Sequence, residues 1–136
     1  MTKSYNHMKK VTMNFFILLS IMAIISSCSP KIVGVWNVES FQTITQGNET
    51  MSAKNIGTIT FQKNGTGVKD LSFSILGAQK EDKTPFNWTL KDNLLTINGL
   101  ESEFVKTWIV VESKAKYQKI KSTDGAAQVQ IVELRK

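Results

Sequence analysis

From Gly34 to the C-terminus, apolar and polar residues alternate with a period of two, and turn signals interrupt the alternation every few residues. In residues 85–91, for example, Phe86, Trp88 and Leu90 fall on one face and polar residues fall on the other. Helical periodicity is not sustained anywhere in this part of the chain. The pattern predicts eight short antiparallel strands, at residues 34–43, 56–62, 68–75, 85–91, 94–98, 104–112, 117–122 and 128–134.

Tight turns join most of these strands, as at Asn64-Gly65 and Asn98-Gly99, because both residue types tolerate positive φ. Unpaired edge strands invite aggregation, and a sheet that closes on itself has no edges. The fold predicted is therefore all-β, an eight-stranded antiparallel up-and-down barrel. The alternative is a two-sheet β-sandwich with open edges.

Two details of register can be predicted from the phase of the alternation. In residues 34–43, Trp36, Val38 and Ser40 share one face, which places Phe41 on the other. In the last strand the apolar phase shifts at Val132, which predicts a β-bulge there.

Two long polar segments, residues 42–55 and 76–84, separate the first strands. Loops of this length are uncommon in compact domains and often cover binding sites. Since alternate connections of an up-and-down barrel share an end, we expect the two loops to frame an opening.

The N-terminal 27 residues have the pattern of a secretory signal peptide: Lys9 and Lys10, an apolar run over residues 11–25, then Ser26 and Ser27. The alternative is an uncleaved transmembrane anchor, but a span usually needs about 20 apolar residues. Met8 directly precedes the two lysines and is an alternative start to Met1.

The only cysteine, Cys28, follows the small residues, and Ile25-Ser26-Ser27-Cys28 resembles the lipobox of bacterial lipoproteins. That resemblance implies cleavage before Cys28 and acylation of its sulfur and amino group, as by palmitate. Residues 28–33 would then be a tether of at most about 20 Å, and residues 34–136 the barrel domain. We expect a lipid-anchored protein of the cell envelope, in the outer membrane and facing the periplasm.

The composition excludes several classes of function. Three of the 17 Lys and Arg residues and none of the 11 Asp and Glu residues precede Cys28, which leaves a net charge of +3. This modest charge does not indicate a nucleic-acid partner. The only histidine, His7, also precedes Cys28, so a Ser-His-Asp triad or a Cys/His metal site is excluded from the domain. We expect no enzyme, no cofactor and no metal.

The order and spacing of several motifs resemble the lipocalin-like family, and in particular the small lipocalin-like lipoproteins of Bacteroidetes. Gly34-Val35-Trp36 is similar to the Gly-x-Trp that opens lipocalins. It is followed by residues 59–61, the turn at residues 64–67, and the strand pair at residues 86–90 and 94–97. The resemblance covers most of residues 34–135 and implies a barrel with a closed end near Trp36. The chain is shorter than a true lipocalin.

Large aromatic residues occupy most of the predicted inward positions: Trp36, Phe61, Phe73, Phe86, Trp88 and Trp108. They indicate either a filled core or a lined pocket, because an eight-stranded barrel has room for side chains or for one small ligand. For a pocket near the open end, Phe73, Phe86 and Trp88 are the candidate ligand-binding residues. Trp36 is predicted to be a structural plug.

Two kinds of charged cluster, one basic and one acidic, are also candidates for a function. Lys114, Lys116, Lys119 and Lys121 surround Tyr117. They form either a solvated hairpin or a contact for anionic lipid headgroups or an acidic partner. The acidic pairs Glu81-Asp82 and Glu101/Glu103 could act as catalytic carboxylates only in a cleft, and nothing in the sequence places them in one.

The function predicted is a binding module that holds a small apolar or amphipathic ligand at the open end. We expect the N-terminal anchor to keep this opening near the membrane. The alternative is a filled barrel that acts as a protein–protein interaction or inhibitor module, with another envelope protein as its partner.

Overall fold

A computed structural model of the chain describes residues 30–47, 50–75, 77–123 and 127–136. The predicted signal segment and Cys28 lie outside the described residues. No candidate for a membrane-spanning helix occurs in the described ranges. The strands are β1 (Gly34–Thr45), β2 (Thr50–Lys54), β3 (Gly57–Phe61), β4 (Thr66–Ile75), β5 (Ala78–Asp82), β6 (Pro85–Lys91), β7 (Leu94–Gly99), β8 (Thr107–Lys114), β9 (Tyr117–Ser122) and β10 (Gln128–Arg135).

All ten strands belong to one antiparallel sheet that closes on itself. Eight of them form the ring, in the order β1-β3-β4-β6-β7-β8-β9-β10, and β10 pairs with β1 to close it. The other two extend ring strands: β2 pairs with the C-terminal half of β1, and β5 with the C-terminal half of β4. The predicted eight-stranded up-and-down barrel is confirmed.

The prediction of two long loops is wrong, because strands occupy much of both segments: β1 extends to Thr45 and β2 follows it in residues 42–55, and β5 lies in residues 76–84. These two strands, β2 and β5, extend the sheet beyond the ring, through pairs such as Phe41↔Ala53 and Phe73↔Lys80. Most residues of β2 and β5 are exposed. A strand buried on one face shows alternating apolar and polar residues. These two strands are not buried on one face, so their sequences lack that alternation.

A β-bulge in β1 changes which residues face the interior. The register with β10 runs from Val38↔Leu134 to Ser40↔Glu133, so Glu39 is the extra residue. Phe41 consequently pairs with Val132 and is buried, contrary to the predicted outward phase. The prediction of a β-bulge in β10 is also wrong, because the register between β9 and β10 has no shift. A second bulge lies in β8, between Val110 and Glu112.

The strand directions define two ends of the barrel. The β3–β4, β6–β7 and β8–β9 turns lie at what we call the lower end, together with residues 30–33 and Lys136. The β1–β2, β4–β5, β7–β8 and β9–β10 connections lie at the upper end. Lys136 N donates to Lys116 O at 3.1 Å, and Lys136 Nζ donates to Val33 O at 3.1 Å, which ties the lower elements together.

Trp36 closes the lower end. Its side chain is fully buried, and its indole Nε1 donates to Ile32 O at 2.6 Å, which fixes the chain just before β1 beneath the barrel. Residues 30–33 therefore lie at the closed lower end, at the opposite end of the barrel from the predicted opening.

The barrel interior is filled with side chains. The largest fully buried residues include Trp36, Trp108, Phe61, Lys69, Phe104 and Leu71. Phe61 makes edge-on contacts with Phe86 and Trp88 at centroid distances of 5.3 and 5.6 Å. Among the described residues, side chains thus fill the middle of the barrel.

Candidate binding site at the upper end of the barrel

A buried lysine lies at the base of the upper end. Lys69 follows Gly67 by two positions in β4, so it points inward, and its side chain is fully buried. Its ammonium lies 2.8 Å from Asp82 Oδ2 and donates a hydrogen bond to Ser102 Oγ at 2.7 Å. An isolated buried charge is costly, so Asp82 and Ser102 are what allow a lysine at this position.

Asp82 stays ionised in this environment. Burial by itself would raise the pKa of its carboxyl group. Contacts with Lys69, Thr84 and Ser102 and the positive charge of Lys69 outweigh burial and lower the pKa below its ordinary value. Thr84 Oγ1 donates to Asp82 Oδ1 at 2.7 Å. A carboxyl group with a lowered pKa can bind a cation or accept hydrogen bonds, but it is not suited to act as a general acid.

A second polar network lies beside this pair and is centred on Gln130 of β10, which is buried. Its amide Nε2 donates to Glu103 Oε2 at 2.8 Å, and its Oε1 accepts a hydrogen bond from Lys106 Nζ at 2.6 Å. The backbone N–H of Gln130 donates to Ser122 Oγ at 2.9 Å. The network fixes the β7–β8 connection, which carries Ser102 and Glu103, over the interior.

An open cleft of about 270 Å³ lies above Lys69, and we call it the mouth cleft. It combines one aromatic side chain with several charged and polar ones: its lining residues are Phe73, Lys80, Glu81, Asp82, Thr84, Glu101, Ser102 and Glu103. Three of its four carboxylates are paired with lysines: Asp82 with Lys69, Glu103 with Lys80 and Glu81 with Lys83. Among the described residues, Glu101 is the lining carboxylate that makes no ion pair.

Aromatic rings form the apolar side of this region. Phe41 contacts Phe73 at a centroid distance of 5.9 Å and Phe104 at 5.3 Å, and Phe104 contacts Trp108 at 6.1 Å. Trp108 Nε1 donates to Phe104 O at 3.0 Å, which holds the β7–β8 connection against the core. The mouth cleft therefore has a rigid apolar base on one side and charged groups on the other.

The three candidate ligand-binding residues do not come together. Phe73 lines the mouth cleft. Phe86 and Trp88 pack on Phe61 instead, and Trp88 Nε1 donates to Gln62 O at 3.1 Å and Thr66 O at 2.9 Å, toward the lower end.

Sequence reasoning missed most of the cleft. The pairs Glu81-Asp82 and Glu101/Glu103, which the sequence alone did not place in a cleft, lie together in this one. One signal for the buried pair was available: Lys69 occupies the inward phase of its strand between Gly67 and Leu71. A lysine in that phase requires a buried partner. Within the described ranges, no group of three or more His, Cys, Asp or Glu side chains is placed to hold a metal ion.

A second cleft, of about 310 Å³, lies at the lower end, and we call it the lower cleft. Its apolar lining residues are Ile32, Leu90, Val110 and Val111, and its polar lining residues are Asp92, Asn93, Ser113 and Gln118. It places Ile32 beside the β6–β7 turn and the β8–β9 hairpin.

Comparison with known proteins identifies a family. Residues 32–135 match the lipocalin-like domain family. Among solved structures, the chain is similar to a lipocalin-like protein from Bacteroides uniformis, with 16% identity and a TM-score of 0.47 over 78% of this chain and 98% of that one. No curated protein matches the chain.

Proposed function

The chain belongs to the lipocalin-like domain family, and on that basis we propose that it is a binding module, not an enzyme, which holds a small amphipathic molecule in the mouth cleft. The observation that carries the proposal is the contrast between the filled interior and the mouth cleft. There, Phe73 lies opposite charged side chains. Binding sites for small molecules combine an apolar surface with a few convergent polar groups in this way.

The size and charge of the mouth cleft limit the ligand. Its volume of about 270 Å³ lies just below the usual range of about 300–1,000 Å³ for ligand sites. Glu101, which makes no ion pair among the described residues, favours a positively charged head group, and Phe73 favours a short apolar tail. We therefore propose a small molecule with an amine head as the ligand class.

A matched pair of probes tests this proposal. We expect octylammonium to raise the melting temperature of the protein and octanoate to leave it unchanged, because the two differ mainly in the sign of the head-group charge. Glu101→Gln should weaken the octylammonium effect. Asp70→Asn, an equal charge change on the exposed outer face of β4, should not. Equal shifts with both probes, or equal effects of both variants, would refute the site.

We also propose that Cys28 is acylated and anchors the protein to the outer membrane, facing the periplasm. The motif at residues 25–28 supports this proposal. Labelling with palmitate and membrane fractionation of wild type and Cys28→Ala test it. The wild type should incorporate palmitate and sediment with membranes. The variant should do neither. An unlabelled, soluble wild type would end the proposal.

The filled interior also favours a second candidate, in which the barrel docks on another envelope protein without a small ligand. Cross-linking in native membranes distinguishes the two. A reproducible protein partner, together with no response to either probe, would favour this alternative over the binding module.

A further inference from the structure

Exposed lysines collect at the lower end of the barrel. They come from separate parts of the chain: the N-terminal entry, the three lower turns and the C-terminal residue. They are Lys31, Lys63, Lys91, Lys114, Lys116 and Lys136, and we call them the lower lysines. The strand directions bring them together, whereas the sequence shows only the cluster on the β8–β9 hairpin.

Few carboxylates balance this charge. Lys114 pairs with Glu112, and Asp92 is the acidic residue of the β6–β7 turn. Lys136 contacts the Trp36 ring at 4.5 Å. Within the described residues, the other four lower lysines make no ion pair. The upper end differs, since its charges are largely paired: Asp82 with Lys69, Glu103 with Lys80 and Glu81 with Lys83. Unpaired positive charge is thus concentrated at the end where residues 30–33 lie.

Aliphatic side chains are exposed in the same region. Val35 is 57% exposed, Leu94 43% and Val111 56%, and Val111 also lines the lower cleft. Val35 follows the first residue of β1, and Leu94 begins β7, so both lie near the lower end. Lysines that surround exposed aliphatic residues are typical of surfaces that contact a charged membrane.

We propose that the lower end is a docking surface for an anionic bilayer, so that the protein stands on the membrane with the mouth cleft directed away from it. This proposal rests on the proposed membrane anchor. The lysines would contact acidic lipid headgroups, and the aliphatic residues would lie at the boundary of the acyl chains. The charge of the lower lysines would thus reinforce the orientation set by the position of residues 30–33.

Lysine footprinting of the full chain tests the orientation. The protein is acetylated with an amine-reactive reagent alone, on neutral phosphatidylcholine vesicles, and on vesicles that also contain phosphatidylglycerol. On the anionic vesicles we expect the modification rates of Lys63, Lys91 and Lys116 to fall by about threefold or more, because headgroup contacts shield them. Lys54 and Lys83, exposed and remote from the lower end, should react unchanged.

Two further arms identify the partner. Inorganic phosphate without vesicles should protect none of these lysines. Protection by phosphate, equal protection at both ends, or no protection on anionic vesicles would overturn the proposal, the last in favour of an acidic protein partner.

Charge reversal provides an independent test. The triple variant Lys63→Glu/Lys91→Glu/Lys116→Glu should lose the difference between neutral and anionic vesicles in the reactivity of Lys31 and Lys114. The matched control Lys54→Glu/Lys83→Glu/Lys121→Glu, with the same net charge, should keep it. If both triple variants behave alike, net charge and not a surface is responsible. A lack of palmitate labelling would refute the proposed anchor alone, since lysine protection on anionic vesicles is measured separately and tests the docking surface.

Discussion

At the lower end of the barrel, Trp36 and Trp88 are buried and their indole groups donate to backbone carbonyls of adjacent turns. At the upper end, the corresponding space holds the Lys69–Asp82 ion pair and the Gln130 network. The lower end is thus closed by shape and by hydrogen bonds to the backbone. The upper end is held by interactions between charged and polar side chains, whose strength depends on pH.

This difference separates stability from binding. An apolar plug packed at crystal-like density has one arrangement and resists change. A charged network can exchange one partner for another at lower cost, and a ligand can provide such a partner. We therefore expect substitutions of the buried lower plug to act on stability and to leave the mouth cleft unchanged, and substitutions in the upper network to act on stability and on binding in the cleft together.

The largest effect should come from the lower plug. Trp36→Ala removes a fully buried indole and leaves a cavity, so we expect a loss of about 4 kcal/mol in the free energy of unfolding. Urea unfolding followed by circular dichroism measures it. Val35→Ala, on the exposed outer face of the same strand, should cost less than about 0.5 kcal/mol. A loss below about 1 kcal/mol for Trp36→Ala would show that this end is not closed by the indole.

The upper ion pair should give the next largest effect. Asp82→Ala leaves the Lys69 ammonium buried without its counter-ion, so we expect a loss of about 3 kcal/mol in unfolding free energy. The double variant Lys69→Met/Asp82→Leu removes both charges and should recover most of this loss, since buried pairs contribute little net stability over apolar residues. If the double variant is as unstable as Asp82→Ala, the barrel requires the charges themselves.

The pH dependence of stability should distinguish the paired carboxylate at the upper end from an exposed one. Because the folded-state pKa of Asp82 is lowered, its contribution is present above the unfolded-state value of about 3.9 and is lost as pH falls below it. Wild type should therefore lose more stability between neutral and acid pH than Asp82→Asn does. Asp70→Asn, at an exposed carboxylate, should retain the wild-type slope. Thermal unfolding over a series of acid buffers measures the slopes, and parallel curves for wild type and Asp82→Asn would contradict the assignment.

The parts of the fold that could be predicted are those with one buried face. The strand predicted at residues 85–91 coincides with β6, because its apolar and polar residues alternate strictly. The strand predicted at residues 117–122 coincides with β9, although two of its buried residues, Gln118 and Ser122, are polar. β2 and β5 escaped prediction because both of their faces meet solvent. Phe41 was assigned to the wrong face because one bulged residue, Glu39, inverts the phase.

The site was harder to predict than the fold, for a related reason. Of the three candidate ligand-binding residues, only Phe73 lines the mouth cleft. Lys69 and Asp82 meet only because β5 folds back on β4 beyond the ring, and the alternation of the sequence does not reveal β5. Ser102 comes from a connection with no regular pattern. Pairings of this kind depend on tertiary closure, which the local sequence does not encode.

The smallest expected effect concerns an ion pair on the outer wall, Lys119–Glu133, at 3.3 Å. Both side chains are partly exposed, so a double-mutant cycle with alanine at the two positions should give a coupling of about 0.2–1 kcal/mol. Added salt should reduce this coupling, because solvent ions screen exposed charges. The coupling between Lys69 and Asp82, measured by the corresponding cycle, should be several-fold larger and nearly independent of salt. Equal salt dependence of the two couplings would mean that water reaches Lys69. The distinction between a buried ion pair at the upper end and an exposed ion pair on the outer wall would then be lost.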